Sequence, residues 1–381
     1  MEEDYRQRGV DYEPSADEFT LPARYYRSED IYQQEIEKIF AKRWLMACRE
    51  EEIASPGDYV TISIGNESLI VVRDTDGGIR TFFNVCRHRG TRICVSETGR
   101  FDHCRIRCPY HAWTYGLDGK LIAAPLMTEV SGFEKRDYPL YSAHIGRWGG
   151  FVFINLAEDP EPFETELGAL IGKFEDWRLP DLRIARTIRY SVECNWKLIL
   201  TNFQECYHCP GVHPLLSKWT PFRSAQHDCF EGAVIGGYME MREPGGSMTL
   251  DGKAAGPPVG DVSGDDLQRV HYYSIFPNLL FAPHPDFVIC QRILPISVTR
   301  VQIDCCFLLE PTVIEDFALM ERFESAVEFW NVTNKEDWQV CEQMQQGLMS
   351  RRFERGPYSG QEDILVALDR EVLKSLGHDT S

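Results

Sequence analysis

The sequence predicts an α+β fold in which a small all-β module precedes a larger mixed domain. Three observations carry this. Residues 24–45 place Ile31, Ile36, Ile39, Phe40 and Trp44 at helical spacing among charged residues. From 46 to 156 the texture changes to short alternating runs, such as those at 58–64 and 68–72, divided by turn residues at Asp76-Gly77-Gly78 and Asp118-Gly119. After Pro160-Glu161-Pro162 strand-like runs mix with long helical stretches.

Taken in order, 1–45 reads as an N-terminal helical segment packing with the larger domain. Residues 46–156 read as the β module, closed by a strand at 149–155, and 157–381 as the mixed domain. In the latter, strands are expected at 186–192, 272–282, 287–294 and 300–309, with a helix over 314–349 broken near Thr333-Asn334. The Gly- and Pro-rich stretch 243–264 reads as a mobile loop. There is no internal repeat and no Gly-rich nucleotide fingerprint, so electrons for any redox chemistry would come from another protein.

Composition narrows the class. The 381 residues are 43% hydrophobic and 26% charged, as in a globular protein with ample material for a core. A net charge of −19 argues against nucleic acid or an anionic membrane surface as a partner. No apolar run is long enough to span a bilayer, and the acidic start Met1-Glu2-Glu3-Asp4 is unlike a signal peptide. The 13 cysteines follow no framework and read as reduced thiols plus metal ligands, with the cytoplasm as the expected compartment.

Two clusters in the β module stand out. Cys86-Arg87-His88-Arg89-Gly90 and Cys108-Pro109-Tyr110-His111 each hold one cysteine and one histidine. A Cys₂His₂ set suits a structural zinc, but zinc fingers usually pair Cys with Cys and His with His. Mixed pairs are what a Rieske [2Fe–2S] centre needs, two thiolates on one iron and two imidazoles on the other, which raises the reduction potential. Cys86, His88, Cys108 and His111 are therefore the candidate cluster ligands. Nearby His103 and Cys104 lack the loop context and read as structural.

A second constellation lies about a hundred residues on, in Asn202-Phe203-Gln204-Glu205-Cys206-Tyr207-His208-Cys209-Pro210-Gly211-Val212-His213. Trp196, Leu200, Phe203 and Tyr207 step as on a helix, which would place Asn202, Glu205 and His208 on one face. Pro210 and Gly211 would then end the helix and return His213 beside His208. Two histidines so placed need one carboxylate for a 2-His-1-carboxylate triad, which leaves positions open on Fe(II) for dioxygen.

With these motifs in view, the chain resembles the α subunit of Rieske non-haem iron oxygenases over essentially its whole length. The resemblance implies a Rieske [2Fe–2S] domain placed before a helix-grip (START-like) antiparallel-sheet catalytic domain. It implies that Asp337, within Asp337-Trp338-Gln339-Val340-Cys341-Glu342, is the third iron ligand, with Glu336 the neighbouring alternative. It also implies that Glu205 joins His208 to the partner subunit's His111 in a homotrimer, that Asn202 stands close behind the iron ligands, and that an NAD(P)H-dependent flavin/iron–sulfur reductase supplies electrons.

Glutamate at 205, with the stretches 246–252 and 329–338, is similar to the branch acting on quaternary ammonium compounds, glycine betaine monooxygenases in particular. The expectation is a terminal monooxygenase that uses O₂ to hydroxylate an N-methyl group, giving N-demethylation and formaldehyde. Tyr207, Phe281 and Phe287 are the candidate faces for the cation. The alternatives are a Rieske oxygenase of aromatic or other apolar substrates, and a Rieske electron carrier without oxygenase activity.

Overall fold

A computed structural model describes residues 19–243 and 245–378, so the acidic N-terminus with the rest of the expected N-terminal segment before Phe19, and Pro244, lie outside the described residues. The described residues divide into two compact units, one of 40–161 and the other of those up to 39 together with those from 162 on.

The 40–161 unit is built of three small antiparallel sheets. One pairs Leu45–Arg49 with Phe151–Asn155, which continues to His144–Trp148. That pairing, with the Trp44 indole N–H donating to the Glu161 carbonyl at 2.8 Å, explains why the unit begins and ends several residues outside 46–156. A second sheet orders Ile79–Phe83, Glu67–Arg73, Asp58–Ile64 and Thr98–Arg100, and a third orders Arg105–Arg107, Thr114–Gly116 and Leu121–Ala123. Its core gathers Ile70, Phe82, Ile106, Trp113 and Tyr115, and includes the thiols Cys86 and Cys108.

In the other unit, the predicted 24–45 helix is interrupted. Helix Arg24–Arg27 stops at Ser28, whose hydroxyl accepts from the Ile31 N–H and so caps a new helix, Glu29–Glu35, which passes into a π-helical turn over Ile36–Phe40. Glu35 is fully buried, accepting from the Trp196 indole N–H at 2.8 Å and pairing with the Lys197 ammonium.

The centre of this unit is a seven-stranded antiparallel sheet: β1 (Arg183–Val192), β2 (Gln226–Cys229), β3 (Val234–Glu240), β4 (Arg269–Ile275), β5 (Leu279–Pro283), β6 (Val288–Ser297) and β7 (Arg300–Leu309), in the spatial order β1-β7-β6-β5-β4-β3-β2. The run at 272–282, expected as one strand, is the hairpin β4–β5 turning at Phe276-Pro277-Asn278, since proline cannot continue a central ladder. Register places Ser274, Leu280, Gln291 and Cys305 in one row across four strands. The Gln204 amide donates to Ser274 at 2.8 Å and Asn334 reaches the Cys305 sulfur, so this face meets the helices at 196–204 and 317–348. The opposite face carries Tyr273 and Phe281 against Phe174.

The long helix Phe317–Leu348 starts at Asp316, whose carboxylate accepts from the N–H groups of Ala318 and Leu319. It runs unbroken through the expected break at Thr333-Asn334. Thr333 turns its hydroxyl back to the Phe329 carbonyl at 3.0 Å and Asn334 is spent on Cys305, so neither competes with the helix. Nor does 246–252 hang free. Ser247, Met248 and Thr249 are buried, and Asp286 accepts from the Ser247 hydroxyl and the Ala255 N–H. No described helix is long and apolar enough to cross a membrane.

Candidate metal centres

The two mixed clusters form facing loops. Gly90, at φ +74°, closes the first by donating to the Cys86 carbonyl at 3.0 Å. In the second, the Cys108 N–H donates to Trp113 and the Ala112 N–H returns to the Cys108 carbonyl. Cys86 and Cys108 are buried, and the rings of His88 and His111 lie 4.7 Å apart at 72°. His88 stacks on Trp113 at 4.8 Å, yet its buried Nδ1 has no hydrogen-bond partner. An orphaned imidazole nitrogen beside two buried thiols fits a cluster held by two Cys and two His. The Tyr115 hydroxyl lies 3.3 Å from the Cys86 sulfur and accepts from the Arg87 N–H at 3.1 Å. His103 is exposed and takes no part.

In the other unit, helix Trp196–Gln204 is opened by the Asn195 cap and stops at Gln204, well short of the expected end at Pro210-Gly211. Glu205 is extended (φ −127°, ψ 158°), so Asn202, Glu205 and His208 do not share a helical face. Instead the Glu205 carboxylate turns on its own segment, accepting from the N–H groups of Tyr207 and His208 and meeting His208 Nδ1 at 2.5 Å. Pro210 and Gly211 do not end that helix either. They lie in a separate short helix, Cys209–Val212, where proline suits the first turn, and this brings His213 back. Cys206 and Cys209, expected as thiols, are paired as a disulfide across His208.

His208, His213 and Asp337 converge, their ligating atoms all within 4.8 Å of one another. The two Nε2 atoms are 3.1 Å apart, and Asp337 Oδ1 lies 2.8 Å from His213 Nε2 and 3.3 Å from His208 Nε2. Bonds of about 2.1 Å at right angles place neighbouring donors about 3 Å apart, so the set fits one ion with open positions opposite. Glu336 is not in this set: it meets His213 Nδ1 at 2.8 Å. Each imidazole thus has one nitrogen toward the common point and a carboxylate on the other, the arrangement that orients metal-binding histidines. Burial opposes a proton on His208, but Asp337 and Glu205 outweigh it and hold its pKa up at about 10. Burial likewise pushes Asp337 up, and its hydrogen bonds with His208 and His213 prevail and hold it below the usual carboxylate range. The pocket is set for positive charge.

A cavity opens over these three residues. Trp330, Thr333, Asn334, Asp337 and Trp338 line it from one stripe of the long helix, and Phe203, Tyr238, Tyr272 and Gln291 from the opposing elements. Asn202 is buried and also lines it. The expected cation faces are elsewhere. Tyr207 is 57% exposed, Phe281 is on the far face of the sheet, and Phe287 packs on His284 and Phe323. The aromatic wall missed from sequence had one readable trace, the stripe of Asn334 and Trp330 about one and two turns ahead of Asp337.

Residues 43–134 match the Rieske [2Fe-2S] domain family and 179–377 match the family described as ring hydroxylating alpha subunit (catalytic domain). The chain is 30% identical to the glycine betaine monooxygenase oxygenase subunit of Pseudomonas aeruginosa over 95% of its length and 91% of the relative's. This chain is a Rieske oxygenase α subunit. The carnitine monooxygenase oxygenase subunit of Acinetobacter baumannii is 28% identical over 94% of this chain and 92% of its own. A solved quaternary ammonium Rieske monooxygenase superposes with a TM-score of 0.81 at 26% identity, covering 95% and 96% of the two chains. Naphthalene 1,2-dioxygenase of a Rhodococcus species shares the fold, with a TM-score of 0.75 at 20% identity over 93% and 94%. As a Rieske oxygenase α subunit, the protein is the oxygenase part of a multicomponent monooxygenase, takes a Rieske cluster and a mononuclear iron, and depends on a separate reductase.

Proposed function

We propose that this oxygenase hydroxylates an N-methyl carbon of a quaternary ammonium compound, and that the hydroxymethyl product collapses to formaldehyde and the demethylated amine. One observation carries the proposal. Two imidazoles and a carboxylate with donors 2.8–3.3 Å apart stand at the base of a cavity walled by Phe203, Tyr238, Tyr272 and Trp330. Aromatic faces hold a methylated ammonium by cation–π attraction, and relatives named for glycine betaine, carnitine and choline point the same way.

In this reading Cys86, His88, Cys108 and His111 hold the cluster, and His208, His213 and Asp337 hold the iron. Once bound, the two groups supply one-electron transfer and dioxygen activation. The reaction consumes O₂, two electrons and two protons, placing one oxygen atom on the methyl carbon and the other in water. Glu205 and Glu336 fix the His208 and His213 rings through Nδ1, and the aromatic wall orients the methyl group and excludes water. Asn202 lines the same cavity. We further propose a homotrimer, located in the cytoplasm, in which Glu205 also meets the partner subunit's His111, and an NAD(P)H-dependent flavin/iron–sulfur reductase as electron donor.

The test is formaldehyde release and O₂ uptake with a surrogate reductase across methylated ammonium compounds and arenes. Formaldehyde from the ammonium panel supports the proposal. Turnover of arenes alone would sink it. Glu205→Gln is expected to keep the cluster's visible spectrum while turnover collapses.

A further inference from the structure

Four polar atoms lining the cavity are buried without a hydrogen-bond partner: the Tyr272 hydroxyl, the Gln291 amide oxygen and the indole nitrogens of Trp330 and Trp338. Gln291 and Trp330 are only 3% and 5% exposed. They come from β6, the long helix and β4, three elements that nothing but the fold brings together, and the Tyr272 and Trp330 rings are 6.4 Å apart. Buried polar groups are nearly always paired, so an unpaired set lining a binding cavity calls for a ligand group to complete it.

Charge decides what that group is. No lysine or arginine is among the described residues lining the cavity. His227 lines it, but its Nδ1 already faces Asp363 at 3.3 Å. The charge of a divalent ion is matched by Asp337 and Glu205 and exceeded once Glu336 is counted, so no surplus positive charge awaits an anion. A buried carboxylate without a cation is costly, and its lone pairs would oppose those of the Gln291 oxygen. A hydroxyl suits both kinds of group, since it can accept from the Tyr272 O–H or an indole N–H of Trp330 or Trp338 and at the same time donate to Gln291.

We propose that Tyr272, Trp330 and Gln291 read an uncharged hydroxyl on the substrate, so that the cavity prefers a methylated ammonium alcohol to a carboxylate-bearing betaine. This rests on the ammonium reading above and narrows it. The test compares choline, glycine betaine and tetramethylammonium on the iron-loaded enzyme, by anaerobic calorimetry and by kcat/KM with a surrogate reductase. Choline is expected to bind and turn over at least ~10-fold better than either of the others. In Tyr272→Phe and in Gln291→Leu, each checked for its visible spectrum and iron content, the choline-to-tetramethylammonium ratio is expected to fall toward one. Glycine betaine binding as tightly as choline, or a ratio that persists in both variants, would overturn the inference while leaving the ammonium reading standing. Turnover of none of the three would remove the ammonium reading itself.

Discussion

The two metal-binding regions use the same ring and surround it in opposite ways. In the β unit, the buried His88 Nδ1 has no hydrogen-bond partner and the ring stacks on Trp113. In the sheet unit, Nδ1 of His208 meets Glu205 and Nδ1 of His213 meets Glu336. In the β unit that orphaned nitrogen is the donor left for the cluster, beside two buried thiols that bring the negative charge. Where the ion's charge must come from outside the thiolate set, carboxylates behind the imidazoles make them better donors and fix their tautomers. One amino acid therefore serves an electron inlet or an oxygen site according to its company, two thiols in one region and three carboxylates in the other.

The sharpest test of this contrast removes one ligand from each side. Asp337→Ala is expected to lower iron from three to two per chain and turnover by more than ~100-fold, with the cluster's visible spectrum unchanged. Cys108→Ser is expected to abolish that spectrum and leave the mononuclear site able to take a divalent ion. Iron analysis with absorption spectroscopy checks both, and loss of the spectrum in Asp337→Ala would break the comparison. A smaller effect is expected of Glu336→Gln, which keeps the shape and removes the charge behind His213: iron affinity should fall roughly 10- to 100-fold in chelator competition. Smaller again, Tyr115→Phe takes away the hydroxyl 3.3 Å from the Cys86 sulfur and should lower the cluster's potential by tens of millivolts, read by redox titration, with all three irons retained.

The loop at 246–255 is tied down by Asp286, which accepts from the Ser247 hydroxyl and the Ala255 N–H. Burial pushes the Asp286 carboxyl up from 3.8 to about 6, although Ala255 and Ser247 hydrogen-bond to it. The folded state therefore binds this proton more tightly than the unfolded chain. Its stabilisation is complete below pH 3.8 and is lost as pH rises through 6, by about 3 kcal/mol in all. Asp286→Asn should flatten that part of the stability profile, measured by denaturant melts between pH 4 and 7.

What the sequence disclosed depended on how local each feature is. The cluster loops could be read because each Cys and His pair spans two or three residues, and His208 and His213 stand out for the same reason. Asp337 lies 124 residues from His213 and was reached only through resemblance, yet its helix sets it directly against both rings. The end of the 196–204 helix was hidden because apolar periodicity runs on to Tyr207, a residue that proves exposed. Alternation along β5 marks two faces without saying which one meets the helices, and Phe281 lies on the one that faces Phe174 instead of the cavity. Tyr272 and Gln291 share the cavity only through strand register across the sheet, which no single segment encodes.

Glu336 and Asp337 are consecutive, and Trp330, Thr333 and Asn334 lie within two turns before them on the same uninterrupted helix. Ligand, ring support and substrate wall therefore share one rod of fixed pitch. Side chains at 330, 333 and 334 can be exchanged to admit a different substrate while the donors stay where they are. A single inserted or deleted residue between them cannot be absorbed: it would turn everything beyond it by about 100° and carry the carboxylates away from both rings. Substrate range in such a scaffold is open to drift by substitution and closed to drift by length.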